Sequence, residues 1–515
     1  MLDKKQIPNS ILDIAEKLRN AGCDAYLVGG CVRDLLMGQK PKDWDFTTNA
    51  KPEKIIQIFG EDDTFYENNF GTVGVKIDSA LLQDTHKEKE CQNKEQEDES
   101  CFQKAEEKEV EIIEITPYRI EGKYSNARHP DEVIFSDKIE DDLKRRDFTV
   151  NALAYDPLTG RFVDSFGGID DLKSKILKAV GDPKKRFEED ALRMMRAVRL
   201  SAQLGFAIEG ETMLAISQNA KLLEKISRER IGEEFLKIIN SKEPMQAIAV
   251  AQKLGILKYI IPELEEGVGC EQGKKAHKYD VFEHNLRSLQ HAADRNFNTT
   301  VRIAALLHDI GKPRTRRKKG DGYTFYGHEV VGAKMAAKIL KHLAIPKDIA
   351  ETVVKLVRWH MFFSDPDEVT LSAVRRMIRN VGQEHIQELL CLRMCDRIGS
   401  GRPKEQPFRF RKYKAMVEQA LKDPISVQML KVDGKDLMQM GEKPGPRMGW
   451  ILHALLDEVL DDPSKNTKKY LTARANELRK LDDNTLKEMG EKGKQSANDK
   501  EQEEIMKIYK KYKVS

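Results

Sequence analysis

The chain has 515 residues, of which 40% are hydrophobic and 34% charged, with a formal net charge of only +3. That length predicts several domains, and the near balance of charge excludes a global polycation, so any nucleic-acid surface must come from local Lys and Arg clusters. No window approaches the ~20 apolar residues of a membrane span, Met1-Leu-Asp-Lys-Lys lacks a secretory core, and the seven scattered cysteines describe no disulfide framework; a cytoplasmic protein is expected.

Ile11, Leu12, Ile14, Ala15 and Leu18 recur with helical spacing, which predicts a helix over 11–20. Asp24-Ala-Tyr-Leu-Val28 reads as a strand entering a Gly29-Gly30 turn, followed by a short helix, Asp34 to Met37. Asp43-Trp-Asp45 comes next; on a short strand, alternate residues share a face, so both carboxylates would reach one Mg²⁺. Gly71–Asp78 and Val110–Thr116 are further strands, rich in β-branched residues. The stretch 83–109 between them is crowded with Lys, Glu, Gln and Asp and reads as a solvated insertion without chemistry. After the turn signal Asp156-Pro-Leu-Thr-Gly160 the pattern is almost wholly helical, with a charged helix or frayed tail from about Asn484. Cys391 and Cys395 lie one helical turn apart, but without a partner pair they read as thiols rather than zinc ligands.

A Gly-Gly turn alone is common, and Asp-x-Asp is usually a solvated loop. Tyr26-Leu-Val-Gly-Gly-Cys-Val-Arg-Asp34 followed at once by Asp43-Trp-Asp45 is far more specific. Backbone N–H groups at a Gly-rich turn bind phosphate, and the paired acids hold a cation, which points to a nucleoside triphosphate and nucleotidyl transfer. Leu143-Lys-Arg-Arg-Asp-Phe-Thr-Val-Asn-Ala152 adds cations suited to a triphosphate. Asp156 and Asp164 read as structural.

Farther on, Arg186-Phe-Glu-Glu-Asp-Ala-Leu-Arg-Met-Met-Arg-Ala-Val-Arg199 reads as one helix. Asp190 and Arg193 would be neighbours three apart, with Arg196 one step around and Arg199 about half a circle from Asp190 at ~100° per residue. Such a pair is either a simple ion pair or an acceptor beside donors, able to read the Watson–Crick edge of cytosine or adenine without a template.

These motifs, in this order, resemble class II CCA-adding tRNA nucleotidyltransferases, and bacterial poly(A) polymerases too. The resemblance implies an α+β chain: a small mixed-sheet nucleotidyltransferase head of the polymerase β type, then a long all-α body. It implies that Gly30 and Arg33 contact the nucleotide, that Asp43 and Asp45 hold Mg²⁺, and that Arg146 binds the triphosphate. Asp190 and Arg193 would read the base, with Arg196 and Arg199 supporting nucleotide binding. Glu114 stands where a third acid would approach the metals. Tyr118–Asp131 resembles the family's flexible loop, which leans towards full CCA addition or A addition, although Asn126 stands where an aspartate is usual. CTP, ATP and tRNA are the implied partners, with no membrane. Poly(A) polymerase activity is the nearest rival, and a phosphohydrolase with an RNA-binding head is the other.

Downstream, Glu283-His284 reads as preceding a helix; Leu306-Leu-His-Asp-Ile-Gly-Lys-Pro313, His328, His360 and Asp396 follow. A lone histidine is usually a satisfied core residue, but an adjacent His308–Asp309 pair with histidines on other helices suits a divalent metal. This arrangement resembles the HD superfamily of metal-dependent phosphohydrolases. The resemblance implies that His284, His308, Asp309 and Asp396 bind one metal, and that His328 and His360 complete a second, for phosphoester hydrolysis. Some members of that kind act on phosphate or cyclic phosphate at RNA ends. The expected domains are 1–155 (head), 156–270 (helical neck and tRNA-binding region), 271–400 (HD) and 401–515 (C-terminal helices and charged tail).

Overall fold

The computed structural model describes residues 6–67, 71–78, 110–121, 133–273, 278–320, 322–362 and 369–495. The insertion 83–109 and most of the Tyr118–Asp131 loop, Asn126 included, lie outside the described residues. The chain forms two compact units, Met1–Ser227 with Lys253–Tyr259, and Arg228–Gln252 with Ile260–Ser515.

The first unit is built on a seven-stranded mixed sheet, ordered β3-β4-β5-β2-β1-β8-β9. Its strands are β1 (Tyr26–Val28), β2 (Asp45–Thr48), β3 (Thr64–Tyr66), β4 (Val73–Asp78), β5 (Val110–Pro117), β8 (Ala154–Tyr155) and β9 (Phe162–Val163), with β6 (Arg119–Glu121) and β7 (Val133–Phe135) pairing separately. Within this sheet, among the described residues, only β2 and β5 pair in parallel, in a register that sets Asp45 opposite Glu114. Both sheet faces are covered, so β1 is buried throughout and alternates between two cores. Leu27 joins Ile11, Leu18, Phe46, Ile55 and Ile115. Tyr26 and Val28 join Tyr118, Leu143 and Val180.

The expected helix over 11–20 is α1 (Asn9–Asn20), which buries Ile11, Ile14, Ala15 and Leu18. Two local expectations are corrected. The helix after the glycine turn is α2 (Gly30–Leu36), not Asp34–Met37: it starts on the glycine itself because Gly29, at φ 76°, ψ −132°, makes the turn in a single residue. Asp43 precedes β2 rather than lying on it. Three more helices, α3 (Pro52–Phe59), α4 (Ile139–Lys144) and α5 (Gly168–Lys173), complete the head. The body is not wholly helical, since β10 (Ile176–Leu177) and β11 (Ala207–Ile208) form a parallel pair. Around them pack α6 (Pro183–Glu189), α7 (Leu192–Leu204) and α8 (Gly210–Asn219).

The second unit contains α9 (Arg228–Ile239), α13 (Val281–Asp294), α14 (Thr299–Leu307), α16 (His328–His342), α17 (Lys347–Trp359) and α19 (Ile386–Gly399), with α10 (Pro244–Lys253), α12 (Pro262–Glu265) and α15 (Lys312–Thr315) as shorter pieces, while α11 (Leu257–Ile260) belongs mostly to the first. A hairpin of β12 (Arg317–Lys319) and β13 (Gly322–Thr324) interrupts it. The remaining helices are α18 (Leu371–Val381), α20 (Phe408–Ala420), α21 (Gly434–Gln439), α22 (Pro446–Asp461), α23 (Lys468–Leu478) and α24 (Asp483–Gln495). Of the two expectations for the segment after Asn484, helix prevails over fraying up to Gln495. Leu486 is fully buried, and Gly490 lies where a Cβ would come within 2.7 Å of Trp450.

Candidate functional site

In the head, the glycine turn and the start of β2 are held together by the strand pair β1–β2, with Leu27 opposite Phe46. Arg146 reaches into this corner: a Cβ on Gly29 would lie 2.9 Å from Arg146 Nη1 and 4.0 Å from Asp45 Oδ2. Gly29 is therefore required twice, by its backbone angles and by the guanidinium above it. Asp45, Asp43 and Glu114 crowd one another electrostatically. Burial pushes the Asp45 carboxyl up, Arg146 opposes this, and Asp43 adds to it. Glu114 is raised first by burial and then by Asp45, Glu67 and Asp43. Two carboxyls, Asp45 and Glu114, whose charged forms are made costly by burial and by nearby acids that include Asp43, suit a cation that would offset the repulsion.

Arg146 is steadied by Asp142, which is fully buried and also takes Arg145 at 2.5 Å; Arg146 Nη2 donates to it at 3.1 Å. The (i, i+3) and (i, i+4) spacing of Asp142 to the two arginines was a readable signal for this clamp. Arg33 is aimed by Asp34 and by donation to Asn151 Oδ1 at 2.7 Å. Asn151 in turn donates to Asp147, and Asp147 accepts Arg196 at 2.6 Å. One polar chain thus runs from α2 to α7.

Asp147 is buried, yet its carboxyl is held down to about 2. Burial acts to raise it, but the Arg196 charge and hydrogen bond and the Asn151 amide outweigh that. A depressed carboxyl contributes stability above the unfolded-state pKa and loses it as pH falls towards 2. We expect this ion pair to supply about 2 kcal/mol at neutral pH. Denaturant unfolding of Asp147→Asn should show that loss at pH 7 and little difference from wild type at pH 2; an equal gap at both pH values would refute it.

The single helix expected over Arg186–Arg199 is broken. Asp190 has extended angles, φ −142° and ψ 103°, between α6 and α7. Its carboxylate accepts from Leu192 N at 3.0 Å, at the start of α7. Arg193 does not pair with it in the expected (i, i+3) manner. It binds Glu189 at 2.7 Å and donates to the carbonyls of Arg186 and Arg145. Arg199 donates to Gln203 at 2.8 Å. Glu189, Asp142, Asp147 and Asn151 are the supporting residues that were not singled out; Asp142 and Glu189 pair with arginines three or four positions on, whereas the distant partners of Asp147 and Asn151, Arg196 and Arg33, are visible only in three dimensions.

In the second unit His284 lies inside α13 rather than before it. His308 and His360 cap α14 and α17, His328 opens α16, and Asp396 is on α19. Two ligand groups form: His284, His308 and Asp396, and Asp309, His328 and His360. Asp309 also faces the first group. Its Oδ2 is 3.1 Å from His284 Nε2 and 3.4 Å from His308 Nε2. Its Oδ1 is 3.2 Å from His328 Nε2 and 3.6 Å from His360 Nε2.

The donor chemistry fits metal ions. His308, His328 and His360 each point Nδ1 at a backbone carbonyl, of Ala305, Phe325 and Val357. A carbonyl only accepts, so Nδ1 carries the proton and Nε2 of the neutral ring presents a lone pair. Yet His328 Nε2 faces His360 Nε2 at 3.3 Å, and His284 Nε2 faces His308 Nε2 at 2.9 Å. The His328 and His360 lone pairs, turned towards each other in a buried site, call for a cation between them, whereas His284, whose Nδ1 meets no carbonyl among the described residues, can donate from Nε2 to His308. Burial pushes the His308 imidazole down to about 3, despite Asp309, so protonation is a poor substitute. Lys312, on Asp309 Oδ2 at 2.5 Å, is a further residue here that had gone unassigned.

Among the described residues no helix is long and apolar enough to cross a membrane. The Poly A polymerase head domain matches residues 25–110 and 79–178. The probable RNA and SrmB-binding site of polymerase A matches 205–267, and the HD domain 281–400. Both the head and the HD domain imply use of divalent metal. The CCA-adding enzyme of Ligilactobacillus salivarius is 33% identical over 471 residues, covering 91% of this chain and 96% of the relative. That of Lactococcus lactis is 40% identical over 253 residues, 49% of this chain and 56% of the relative. Among solved structures, Bacillus stearothermophilus CCA-adding enzyme in complex with CTP superposes with a TM-score of 0.64 at 26% identity, over 91% of this chain and 96% of that one. Thermotoga maritima CCA-adding enzyme complexed with tRNA shares the fold, at TM-score 0.53 and 18% identity, over 91% of this chain and 95% of that one. With a relative one-third identical along nearly its whole length, this chain belongs to the family of CCA-adding enzymes.

Proposed function

We propose that the protein adds C, C and A, or part of that sequence, to tRNA 3′ ends by untemplated nucleotidyl transfer from CTP and ATP. The observation that carries this reading is the convergence of Asp43, Asp45 and Glu114 beside Arg146, over a turn that only glycine fits. Asp43 and Asp45 would hold Mg²⁺, with Glu114 beside them. When bound, the ion lowers the pKa of the attacking 3′-hydroxyl and offsets charge on the departing pyrophosphate. Arg146, fixed by Asp142, clamps the triphosphate, and Gly30 with Arg33 lets the chain approach it closely. Asp190, between α6 and α7, would offer an acceptor to the base and Arg193, at the start of α7, those guanidinium hydrogens that Glu189 and the Arg186 and Arg145 carbonyls leave, with Arg196 and Arg199 extending the cationic side of the site. We take 1–155, 156–270, 271–400 and 401–515 as head, neck, HD and C-terminal domains of a protein acting in the cytoplasm.

The test is to supply CTP and ATP separately to tRNA lacking its terminus. CTP should be incorporated first, and ATP only onto the CC-ended product. Addition of A to unrelated RNA without use of CTP would make it a poly(A) polymerase instead.

A second reading rests on the facing imidazoles around Asp309. We propose that this domain hydrolyses phosphate esters at RNA 3′ ends: water adds to phosphorus, one P–O bond to ribose breaks, and the ribose oxygen takes the proton. The six ligands would hold two divalent ions, which supply the polarisation of that phosphate.

A further inference from the structure

The HD ligands Asp309, His328, His360 and Asp396 line a cavity of about 530 Å³, and so do Tyr326, Arg397 and Arg402. That volume is in the range for a ligand of nucleotide size rather than a lone phosphate. Two of the cations in its wall are already engaged with ligands. Lys312 binds Asp309 and Gln272, and Arg393 binds Asp396 at 2.7 Å.

Arg397 and Arg402 differ. Among the described residues neither forms an ion pair, and the Arg397 side chain makes one long hydrogen bond, Nε to Lys404 carbonyl at 3.4 Å. Two guanidinium groups on the cavity wall that no carboxylate pairs can take an anion, and guanidinium groups match phosphate oxygens in geometry. The metal-site carboxylates Asp309 and Asp396 pair with Lys312 and Arg393 rather than with these arginines, so with the scissile phosphate at the metal ligands Arg397 and Arg402 are free to address a second phosphate of the same molecule.

From this arrangement we propose that Arg397 and Arg402 form a subsite for the internucleotide phosphate one position 5′ of the scissile group, so that the HD domain prefers a polynucleotide end to a free mononucleotide. This rests on the hydrolytic reading above and deepens it. Two further features favour a polymer. Tyr326 is 58% exposed and Met361 56% exposed at the same cavity, leaving an apolar face on which a base can stack. Tyr323 and Thr324 of the cavity belong to β13, whose partner β12 carries Arg317, Lys318 and Lys319. Both lysines are exposed, a basic ribbon along which further phosphates can run.

The experiment uses the full chain with Mg²⁺, Mn²⁺, Co²⁺ or Ni²⁺ in turn. Three substrates are compared: adenosine 2′,3′-cyclic phosphate, the same with a 5′-phosphate, and the dinucleotide ApA ending in a 2′,3′-cyclic phosphate. Wild type should cleave the dinucleotide with kcat/KM about tenfold or more above the unphosphorylated monomer, mainly through KM. In Arg397→Gln/Arg402→Gln, checked by its melting temperature, that ratio should fall close to one. If the 5′-phosphorylated monomer gains as much as the dinucleotide, the subsite stands but recognises phosphate without the polymer. No preference in wild type, or a preference unchanged in the variant, overturns the proposal. If no substrate is cleaved, the hydrolytic reading fails separately, and calorimetric binding decides the subsite. With CTP saturating the head, 3′-phosphorylated ApA should bind wild type about tenfold more tightly than 3′-AMP and lose that margin in the variant; equal affinities in wild type overturn it.

Discussion

With Asp43 and Asp45 both replaced by alanine, incorporation of CMP or AMP into tRNA is expected to fall by roughly three orders of magnitude or more, about 4 kcal/mol of transition-state stabilisation. The fold should survive the change. Asp45 is half-buried and its carboxyl is raised by burial and by Asp43, so at neutral pH its negative charge is a burden on the folded state. Removing it relieves repulsion with Glu114 as well. The melting temperature should hold or rise while turnover disappears, a pattern that separates lost chemistry from lost structure. Survival of nucleotide incorporation in this double variant would refute the proposed metal ligands of the head.

The second large effect is expected in the other unit. His308→Ala with Asp309→Ala takes one residue from the first ligand group and, through the two oxygens of Asp309, weakens both. Divalent metal content, measured on the purified protein, should drop for both groups. Phosphoester hydrolysis should fall by more than the roughly 10–100-fold that loss of an outer-shell partner costs. Addition of nucleotides to tRNA should continue, because none of the head residues is altered. Hydrolysis and metal content equal to wild type would remove the HD site from consideration.

Much of the head was readable because its chemistry is local. Leu27-Val-Gly-Gly30 ends one strand and Asp43-Trp-Asp45 leads into its neighbour, with one short helix between, so a few residues of sequence already hold the turn and the acids close. The limits of that helix were less readable, because a glycine at its start is a poor helix former until the turn at Gly29 is known. The break at Asp190 was invisible for a different reason. Leu192, Met195 and Val198 keep helical spacing and are buried as that spacing implies. What interrupts the helix upstream is the Asp190 carboxylate taking Leu192 N, while Arg193 is drawn to Glu189 and to the Arg145 carbonyl, a residue 48 positions away. In the HD region the resemblance named the six residues that the fold brings into two clusters able to hold metal. How Asp309 divides its oxygens could not be read, since that depends on where four separate helices place their imidazoles.

The pairing of β4 with β5 has one more outcome. Asp78 faces Val110, so the ladder is already closed at the two residues from which the long charged stretch departs. Glu114 stands four positions further along β5, about 13 Å away at the usual rise of a strand. The acids therefore take their alignment from main-chain bonds on the near side of that junction. The sheet edge that carries Asp45 and Glu114 is set by the ladder itself, and a tight two-residue link between 78 and 110 should leave that alignment in place.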